Sequence, residues 1–199
     1  MAKIVFLGDS ITAYMPYIFK GTIGNDGDEV IYHGIENIGV GSFMNYVWPR
    51  LEEKNVDTYI LLIGINNLFR PDCDYDNRES IEEVILKIKE FIKLISESSD
   101  ARLIVQSLYP NDTKSIIHQI ELVNNNIQEY CSSIEAEYLD IYPILVDEEG
   151  LMKKEYTKDG IHPNEQGYQV IAEEINKILH KQHTKKLINP NDYIGTIKR

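Results

Sequence analysis

The 199-residue chain has few cysteines, an excess of acidic over basic residues and no long apolar run. Its two cysteines, Cys73 and Cys131, form neither a C-x-x-C pair nor a zinc-ligand spacing. A small secreted scaffold would be richer in cysteine, so we expect a reducing compartment and a cytoplasmic protein. Cys131 falls on the apolar face of a predicted helix, where we expect it to be a small core residue.

Positive charge is also scarce, with 20 Lys and Arg against 32 Asp and Glu and a formal net charge of −12. Nucleic-acid phosphates and anionic membrane surfaces both select clustered basic residues, so neither is an expected partner. The apolar run at residues 4–7 is too short for a signal peptide, and no run approaches the roughly 20 residues that span a bilayer. We therefore expect no membrane span.

Short β-rich runs alternate with longer helical patterns along the chain, which indicates a parallel sheet covered by helices. The predicted strands are residues 4–7, 31–38, 59–63, 102–108 and 138–141. Gly34 interrupts the second run. The length fits one domain over residues 1–180, followed by a polar tail at 181–199. The pattern predicts an α/β fold with a five-stranded parallel sheet and helices on both faces.

Three amphipathic helices are predicted, each with apolar residues at steps of three and four. Ser80 and Glu83 have the spacing of a capping box at the start of the first helix. The second helix carries its apolar stripe over residues 116–134, and the third begins near Asn164. The helix between the second and third strands is weaker, because Pro49 limits or kinks it.

In open parallel sheets, ligands bind outside the carboxyl ends of the strands, so the segments that follow the strands are the ones to examine. These segments are Gly8-Asp9-Ser10, Asn37-Ile38-Gly39-Val40-Gly41-Ser42, Gly64-Ile65-Asn66-Asn67 and, after the last strand, Asp159-Gly160-Ile161-His162-Pro163. They supply a serine, backbone N–H groups, an asparagine amide and an Asp–His pair. Acyl transfer requires such a set: a nucleophile, its base, an orienter for the base and donors for an oxyanion.

Taken one at a time, these motifs also have plain structural explanations. Gly-Asp-Ser after a strand can be a helix-capping turn, and Asp159 can cap a turn with His162 packed beside Pro163. The occurrence of all of them in this order, each near a predicted strand end, favours a catalytic site.

No metal or cofactor is expected. The remaining histidines show no metalloprotease pattern; they are His33, His118, His180 and His183. Gly39-Val40-Gly41 lacks a third glycine in the register of a dinucleotide-binding loop.

These residues resemble the SGNH hydrolases, also called the GDSL lipase/esterase superfamily, over nearly the whole chain to about His180. The resemblance implies a three-layer, flavodoxin-like fold and an ester hydrolase with a Ser-His-Asp triad. Gly-Asp-Ser-Ile-Thr resembles the first block of the family, which makes Ser10 the nucleophile. The Asp-Gly-Ile-His-Pro segment resembles the fifth block of the family, which makes His162 the base and Asp159 its orienter. Gly-Ile-Asn resembles the third block, with Asn66 as the side-chain oxyanion donor.

Two positions depart from the family pattern. The third block commonly ends in Asp where this chain has Asn67, so a charge at that position is missing. The second block commonly reads Asn-x-Gly-x-x-Gly, and its last glycine donates its backbone N–H to the oxyanion. Read without a gap from Asn37, that position is Ser42, which keeps the N–H, and the neighbouring Gly41 is the alternative donor. The N–H of Ser10 completes the predicted oxyanion hole.

The resemblance covers a broad range of substrates. We expect a small-molecule ester with a short acyl chain, such as an O-acetyl group. The alternatives are a lysophospholipase or a thioesterase on the same triad, and a catalytically silent binding module of the same fold. Four apolar residues near the motif segments are candidates for an acyl pocket, although core packing is the more frequent role of such residues: Phe43, Trp48, Leu68 and Phe69.

Two other classes are disfavoured by single positions. An α/β-hydrolase needs a G-x-S-x-G elbow, and Ser42 is followed by Phe43 and Met44 instead. A phosphate-accepting receiver domain would carry an Asp at the end of the third strand, where this chain has Gly64-Ile65-Asn66.

Overall fold

The computed structural model describes residues 1–69, 79–134 and 136–181. Its sheet has five parallel strands in the order β2-β1-β3-β4-β5, which is the flavodoxin-like order. The strands are β1 Lys3–Gly8, β2 Glu29–Gly34, β3 Thr58–Leu62, β4 Arg102–Gln106 and β5 Glu137–Leu139. The predicted fold class is confirmed.

Helices connect the strands and cover the sheet. They are α1 Ser10–Ile18, α2 Val40–Ser42, α3 Ile65–Phe69, α4 Ile81–Ser98, α5 Ile117–Ser133, α6 Tyr142–Leu145 and α7 Glu165–Leu179. α4 packs against α5, and α1 packs against α7. Every residue of β3, the central strand, is buried, as its continuous apolar run predicts.

The predicted helix starts are confirmed at two places. Ser80 and Glu83 form a reciprocal capping box: the Ser80 side chain accepts the Glu83 N–H, and the Glu83 carboxylate accepts the Ser80 N–H. Asn164 caps α7 by accepting the N–H of Gly167 at 2.9 Å. These caps satisfy backbone donors that the first helical turn leaves without partners.

The second predicted strand is too long: β2 ends at Gly34 and does not reach Ile38. At Gly34 the strand runs against the start of α1, and an added Cβ would lie 2.1 Å from the Ala13 nitrogen. The chain turns away beyond this contact, and Asn37 adopts a positive φ of 59°. β2 is the edge strand beside β1, and their pairing ends at Gly8 and Gly34, where β1 itself ends, so the ladder offers no further partner.

The fourth predicted strand is also too long, because a side chain replaces the sheet partner of its last residues. β4 ends at Gln106. The Asn124 side chain accepts the N–H of Leu108 at 2.7 Å and donates to its carbonyl oxygen at 3.0 Å. An asparagine inside α5 thus satisfies both backbone groups that a further ladder pair would have used.

The weak helical stretch before β3 is irregular. α2 continues into a π-helical turn, Phe43–Val47, and then into a 3₁₀ turn, Trp48–Arg50, that contains Pro49. Cys131 is buried on α5, as predicted. Cys73 and all of the predicted tail except Lys181 lie outside the described residues.

Candidate active site

Ser10 lies at the junction of β1 and α1. β1 ends at Gly8, Asp9 is the N-cap of α1, and Ser10 is the first helical residue. An added Cβ at Gly8 would lie 2.2 Å from the carbonyl oxygen of Leu62 and 2.4 Å from Thr12 Oγ1, so only glycine fits there. The turn holds Ser10 at the carboxyl end of the sheet with its side chain largely buried.

A loop before α7 carries Asp159 and His162. Asp159 Oδ1 accepts the backbone N–H groups of Ile161 at 2.9 Å and of His162 at 2.8 Å, which curls the loop around its own carboxylate. Gly160 has a φ of +80°, a conformation that favours glycine. The Thr157 hydroxyl donates to the carbonyl oxygen of His162 at 2.8 Å and further fixes the loop.

The three side chains form one hydrogen-bonded line. Ser10 Oγ lies 2.9 Å from His162 Nε2, and His162 Nδ1 lies 2.7 Å from Asp159 Oδ2. Because the carboxylate accepts from Nδ1–H, Nε2 of the neutral ring is free to accept from the serine hydroxyl. The ring of Tyr14 lies against the imidazole, with 5.1 Å between the ring centroids.

The charge on Asp159 is strongly favoured. Partial burial opposes ionisation of the carboxyl, but the hydrogen bonds from the His162 ring and from the N–H groups of His162 and Ile161 outweigh it. Together they lower the pKa of Asp159 to about 2. An ionised carboxylate is what a histidine needs to be held in one tautomer and stabilised when it is protonated.

Asp9, next to Ser10, has the opposite environment, which the sequence reasoning missed. Its side chain is fully buried; Oδ1 accepts the N–H of Ile11 at 3.0 Å, and Oδ2 has no hydrogen-bond partner. Burial raises the pKa of the Asp9 carboxyl to about 7, although the Ile11 N–H and the nearby His162 act in the other direction. Its position between a buried strand and a helix was the available sequence signal.

Besides Ser10 itself, the predicted oxyanion donors lie on two short helices, α2 and α3. Asn66 is on α3, and its Nδ2 donates one N–H to the carbonyl oxygen of Ile38 at 3.0 Å, which leaves its second N–H available. Gly41 and Ser42 follow Val40 in the first turn of α2, where helical N–H groups have no intrahelical acceptor. Both remain candidates for the second backbone donor.

The predicted acyl-pocket residues are largely part of the core. Phe43 is fully buried, with its ring 5.6 Å from that of Phe91. Trp48 packs edge-on against Tyr59 and Phe91, and Leu68 is buried. The Phe69 side chain lies outside the described structure.

A groove of about 900 Å³ opens beside the imidazole of His162 and the carboxylate of Asp159. Its walls come from α1 and from the start of α7. Aromatic, amide and basic side chains line it, among them Tyr14, Tyr17, Lys158, Asn164, Gln166 and Gln169.

No three His, Cys, Asp or Glu side chains are grouped as a metal site would require in the described part of the chain. Over the same residues, no helix has both the length and the apolar character needed to cross a membrane.

The chain belongs to the GDSL-like lipase/acylhydrolase family, whose model matches residues 6–170. It is therefore an enzyme of the esterase and lipase class that acts on carboxylic ester bonds. No curated protein has a sequence that matches it.

Solved structures share the fold at low sequence identity. A GDSL-like lipase from Bacteroides thetaiotaomicron is 20% identical, with a TM-score of 0.73 over 90% of this chain and 88% of that one. A variant of an acetyl-xylooligosaccharide esterase from Geobacillus stearothermophilus is 15% identical, with a TM-score of 0.69 over 92% and 96%. An acetyl xylan esterase is 17% identical, with a TM-score of 0.68 over 88% and 98%.

Proposed function

We propose that the chain is a serine ester hydrolase in which Ser10 is the nucleophile, His162 is the general base and Asp159 is the carboxylate that orients His162. The observation that carries this proposal is the hydrogen-bonded line from Ser10 Oγ through both ring nitrogens of His162 to Asp159 Oδ2. A neutral serine is a poor nucleophile and requires an adjacent base that removes its proton in the transition state.

The reaction proceeds in two half-reactions. Ser10 Oγ attacks the ester carbonyl carbon while His162 Nε2 takes the hydroxyl proton, and the protonated ring is stabilised by Asp159. Collapse of the tetrahedral intermediate breaks the ester C–O bond, and His162 returns its proton to the departing alcohol. Water then attacks the acyl-serine with His162 again acting as base, which releases the carboxylic acid and free Ser10.

The oxyanion of each tetrahedral intermediate is stabilised by the N–H of Ser10, the N–H of Gly41 or Ser42, and the free amide N–H of Asn66. One such donor is worth about 2.7–4 kcal/mol in the transition state. Asn66→Ala should therefore lower kcat by about 10²–10³-fold with a smaller effect on KM. An effect on KM alone would make Asn66 a substrate-binding residue instead.

We further propose a short-acyl ester of a polar alcohol, such as an O-acetylated sugar, as the substrate. The alcohol must leave next to His162, which protonates it, and the groove at this side chain is lined by Tyr14, Tyr17 and three amides. Amides bind hydroxyl groups and aromatic rings stack on sugar rings. Because Phe43 and Leu68 are packed in the core, they do not provide a pocket for a long acyl chain. Two of the structural neighbours, an acetyl-xylooligosaccharide esterase and an acetyl xylan esterase, support the same class.

The test is ester hydrolysis by purified protein on an acyl-length series, with O-acetyl sugars, a lysophospholipid and an acyl thioester as separate substrates. We expect the highest kcat/KM on acetyl esters. Ser10→Ala should abolish hydrolysis and labelling by a fluorophosphonate while leaving the fold intact. Ser132→Ala, which removes an exposed hydroxyl on α5, is the matched control. Near-wild-type turnover by Ser10→Ala would exclude the mechanism, and a preference for long acyl chains would exclude the substrate class.

A further inference from the structure

Asn67, which immediately follows Asn66, connects the loop after β2 to an ion pair at the start of α4. Its Oδ1 accepts the backbone N–H of Val40 at 3.0 Å, and its Nδ2 donates to Glu79 Oε2 at 2.7 Å. The other oxygen of Glu79 is paired with the ammonium group of Lys87. The Glu79 side chain is only 15% exposed, so this carboxylate is held largely away from water.

This chain of contacts reaches the segment that supplies the second backbone oxyanion donor. Val40 is the first residue of α2, and the two candidate donors, Gly41 and Ser42, follow it directly. An added Cβ at Gly39 would lie 3.0 Å from Asn67 Nδ2 and 3.1 Å from Oδ1, so the loop backbone rests on the amide. The start of α2 is therefore fixed by a hydrogen bond and by close packing on one side chain.

An amide can hold Val40 in only one of its two orientations. A carboxylate at residue 67 could accept the Val40 N–H with either oxygen, whereas an amide that turned over would direct its NH₂ group at another N–H. Glu79 prevents this because it accepts the Nδ2 hydrogen in a charge-assisted hydrogen bond. The charge that is absent from residue 67 is thus supplied by a residue twelve positions further along the chain.

We propose that Asn67 and Glu79 act as a pair of positioning residues that orient the start of α2 for oxyanion binding. Neither residue is a donor to the oxyanion; they act through the backbone of Val40 on the N–H groups that follow it. The inference rests on the proposed function, because it concerns the oxyanion hole of the same site.

An exchange of charge tests the pair. Asn67→Asp puts a second carboxylate against Glu79, and the repulsion should displace the loop and lower kcat by about 10–100-fold with little change in KM. In the double variant Asn67→Asp/Glu79→Gln, the carboxylate at position 67 accepts the Val40 N–H. The amide at position 79 donates a hydrogen bond to that carboxylate. This variant should recover kcat to within about threefold of wild type. Asn125→Asp and Glu82→Gln, at exposed positions on α5 and α4, are matched controls that should not change kcat.

The outcomes separate this inference from the proposed function. Ester hydrolysis that survives the Ser10→Ala substitution contradicts the proposed function. Activity that depends on Ser10 but is unchanged by Asn67→Asp contradicts the inference alone, as does a double variant no better than the single one. If Asn67→Asp does not fold, Glu79→Ala is the replacement: it should lower kcat about tenfold at constant KM, and an unchanged kcat overturns the proposal.

Discussion

Asp9 and Asp159 are each next to one member of the Ser10–His162 pair, Asp9 in the sequence and Asp159 by a hydrogen bond, and their surroundings are opposite. Asp9 is fully buried, with one carboxylate oxygen lacking a partner, and its pKa is raised to about 7. Asp159 lies on a surface loop with its side chain 54% exposed; its carboxylate accepts hydrogen bonds from Ile161 and His162, and its pKa is lowered to about 2. The buried half of the site, Gly8 to Ser10, is shaped by the core. The loop half, Asp159 to His162, is shaped by local hydrogen bonds.

The two halves meet at the catalytic pair and where α1 packs against α7. Ser10 Oγ lies 2.9 Å from His162 Nε2, the Tyr14 ring lies against the imidazole, and the Tyr168 hydroxyl of α7 donates to the carbonyl oxygen of Ile11 in α1 at 2.6 Å. A substitution that disturbs the backbone packing of the buried half, such as one at Gly8, should therefore lower folding stability, because strands β1 and β3 support this half. A change on the loop half should be felt mainly as lost activity.

The largest expected effect is on the loop half, at the Asp–His pair. His162→Ala and Asp159→Asn should each lower kcat/KM by about 10²–10⁴-fold, with His162→Ala at least as damaging. The base must be neutral to act, and Asp159 stabilises its protonated form. Asp159→Asn should therefore move the acidic limb of the pH–rate profile to lower pH, which is measured as kcat/KM against pH.

The double variant of this pair is the decisive control. If Asp159 acts through His162, the double variant should be scarcely worse than His162→Ala alone. Losses that multiply would show that the two residues act independently. All three variants should remain folded at neutral pH, which thermal unfolding checks.

The second effect is a difference in stability loss between alanine substitutions at two glycines, Gly8 and Gly160. Gly8→Ala puts a methyl carbon 2.2 Å from the backbone carbonyl of Leu62 in the sheet, which cannot move aside, and we expect a loss of about 4 kcal/mol or more in unfolding free energy. Gly160→Ala meets the carboxyl group of Asp112, an exposed side chain that can rotate, and strains a φ of +80°. Its cost should be about 1–2 kcal/mol.

Urea denaturation and ester hydrolysis together check this contrast. Gly160→Ala should remain folded and yet lose activity, because it distorts the loop between Asp159 and His162. Equal stability losses in the two variants would contradict the division of the site into a core-supported half and a loop half.

The features that the sequence predicted are local ones. Apolar periodicity and turn residues identified the strands, the caps at Ser80 and Asn164, and the segments that meet at the carboxyl edge of the sheet. The structure brings Ser10, His162 and Asp159 together there, while their catalytic roles stay a prediction. Each of these signals is contained in a short stretch of chain, so no tertiary contact was needed to read it.

The features that the sequence did not predict depend on long-range packing. The end of β4 is set by Asn124 on a distant helix, and the end of β2 coincides with the end of its partner strand β1. Glu79 compensates for Asn67 through a contact that no motif spacing encodes. The buried, partnerless oxygen of Asp9 likewise follows from what packs around it and not from its neighbours in sequence.

The smallest expected effect separates the two carboxylates through the pH dependence of stability. The native state binds a proton at Asp9 more tightly than the unfolded chain does, because the carboxyl pKa is about 7 in the fold, against an ordinary value of 3.8. Its contribution to stability is therefore complete below about pH 4 and is lost as pH rises through 7. Asp159, with a pKa of about 2, behaves in the opposite sense. Its contribution to stability is present above about pH 4 and is lost as the pH falls through 2.

Asp9→Asn should remove the fall in stability while keeping the N-cap, since asparagine caps helices as well as aspartate does. Relative to wild type, the variant should gain about 2–3 kcal/mol in unfolding free energy between pH 5 and pH 8, from about 1.36 kcal/mol per unit of pKa difference. Urea denaturation at several pH values measures this gain, with Asp26→Asn, at an exposed loop position, as the control. Parallel stability profiles for Asp9→Asn and wild type would mean that the Asp9 carboxylate is as readily ionised in the fold as in water. The buried half of the site would then differ from the loop half in packing alone and not in charge.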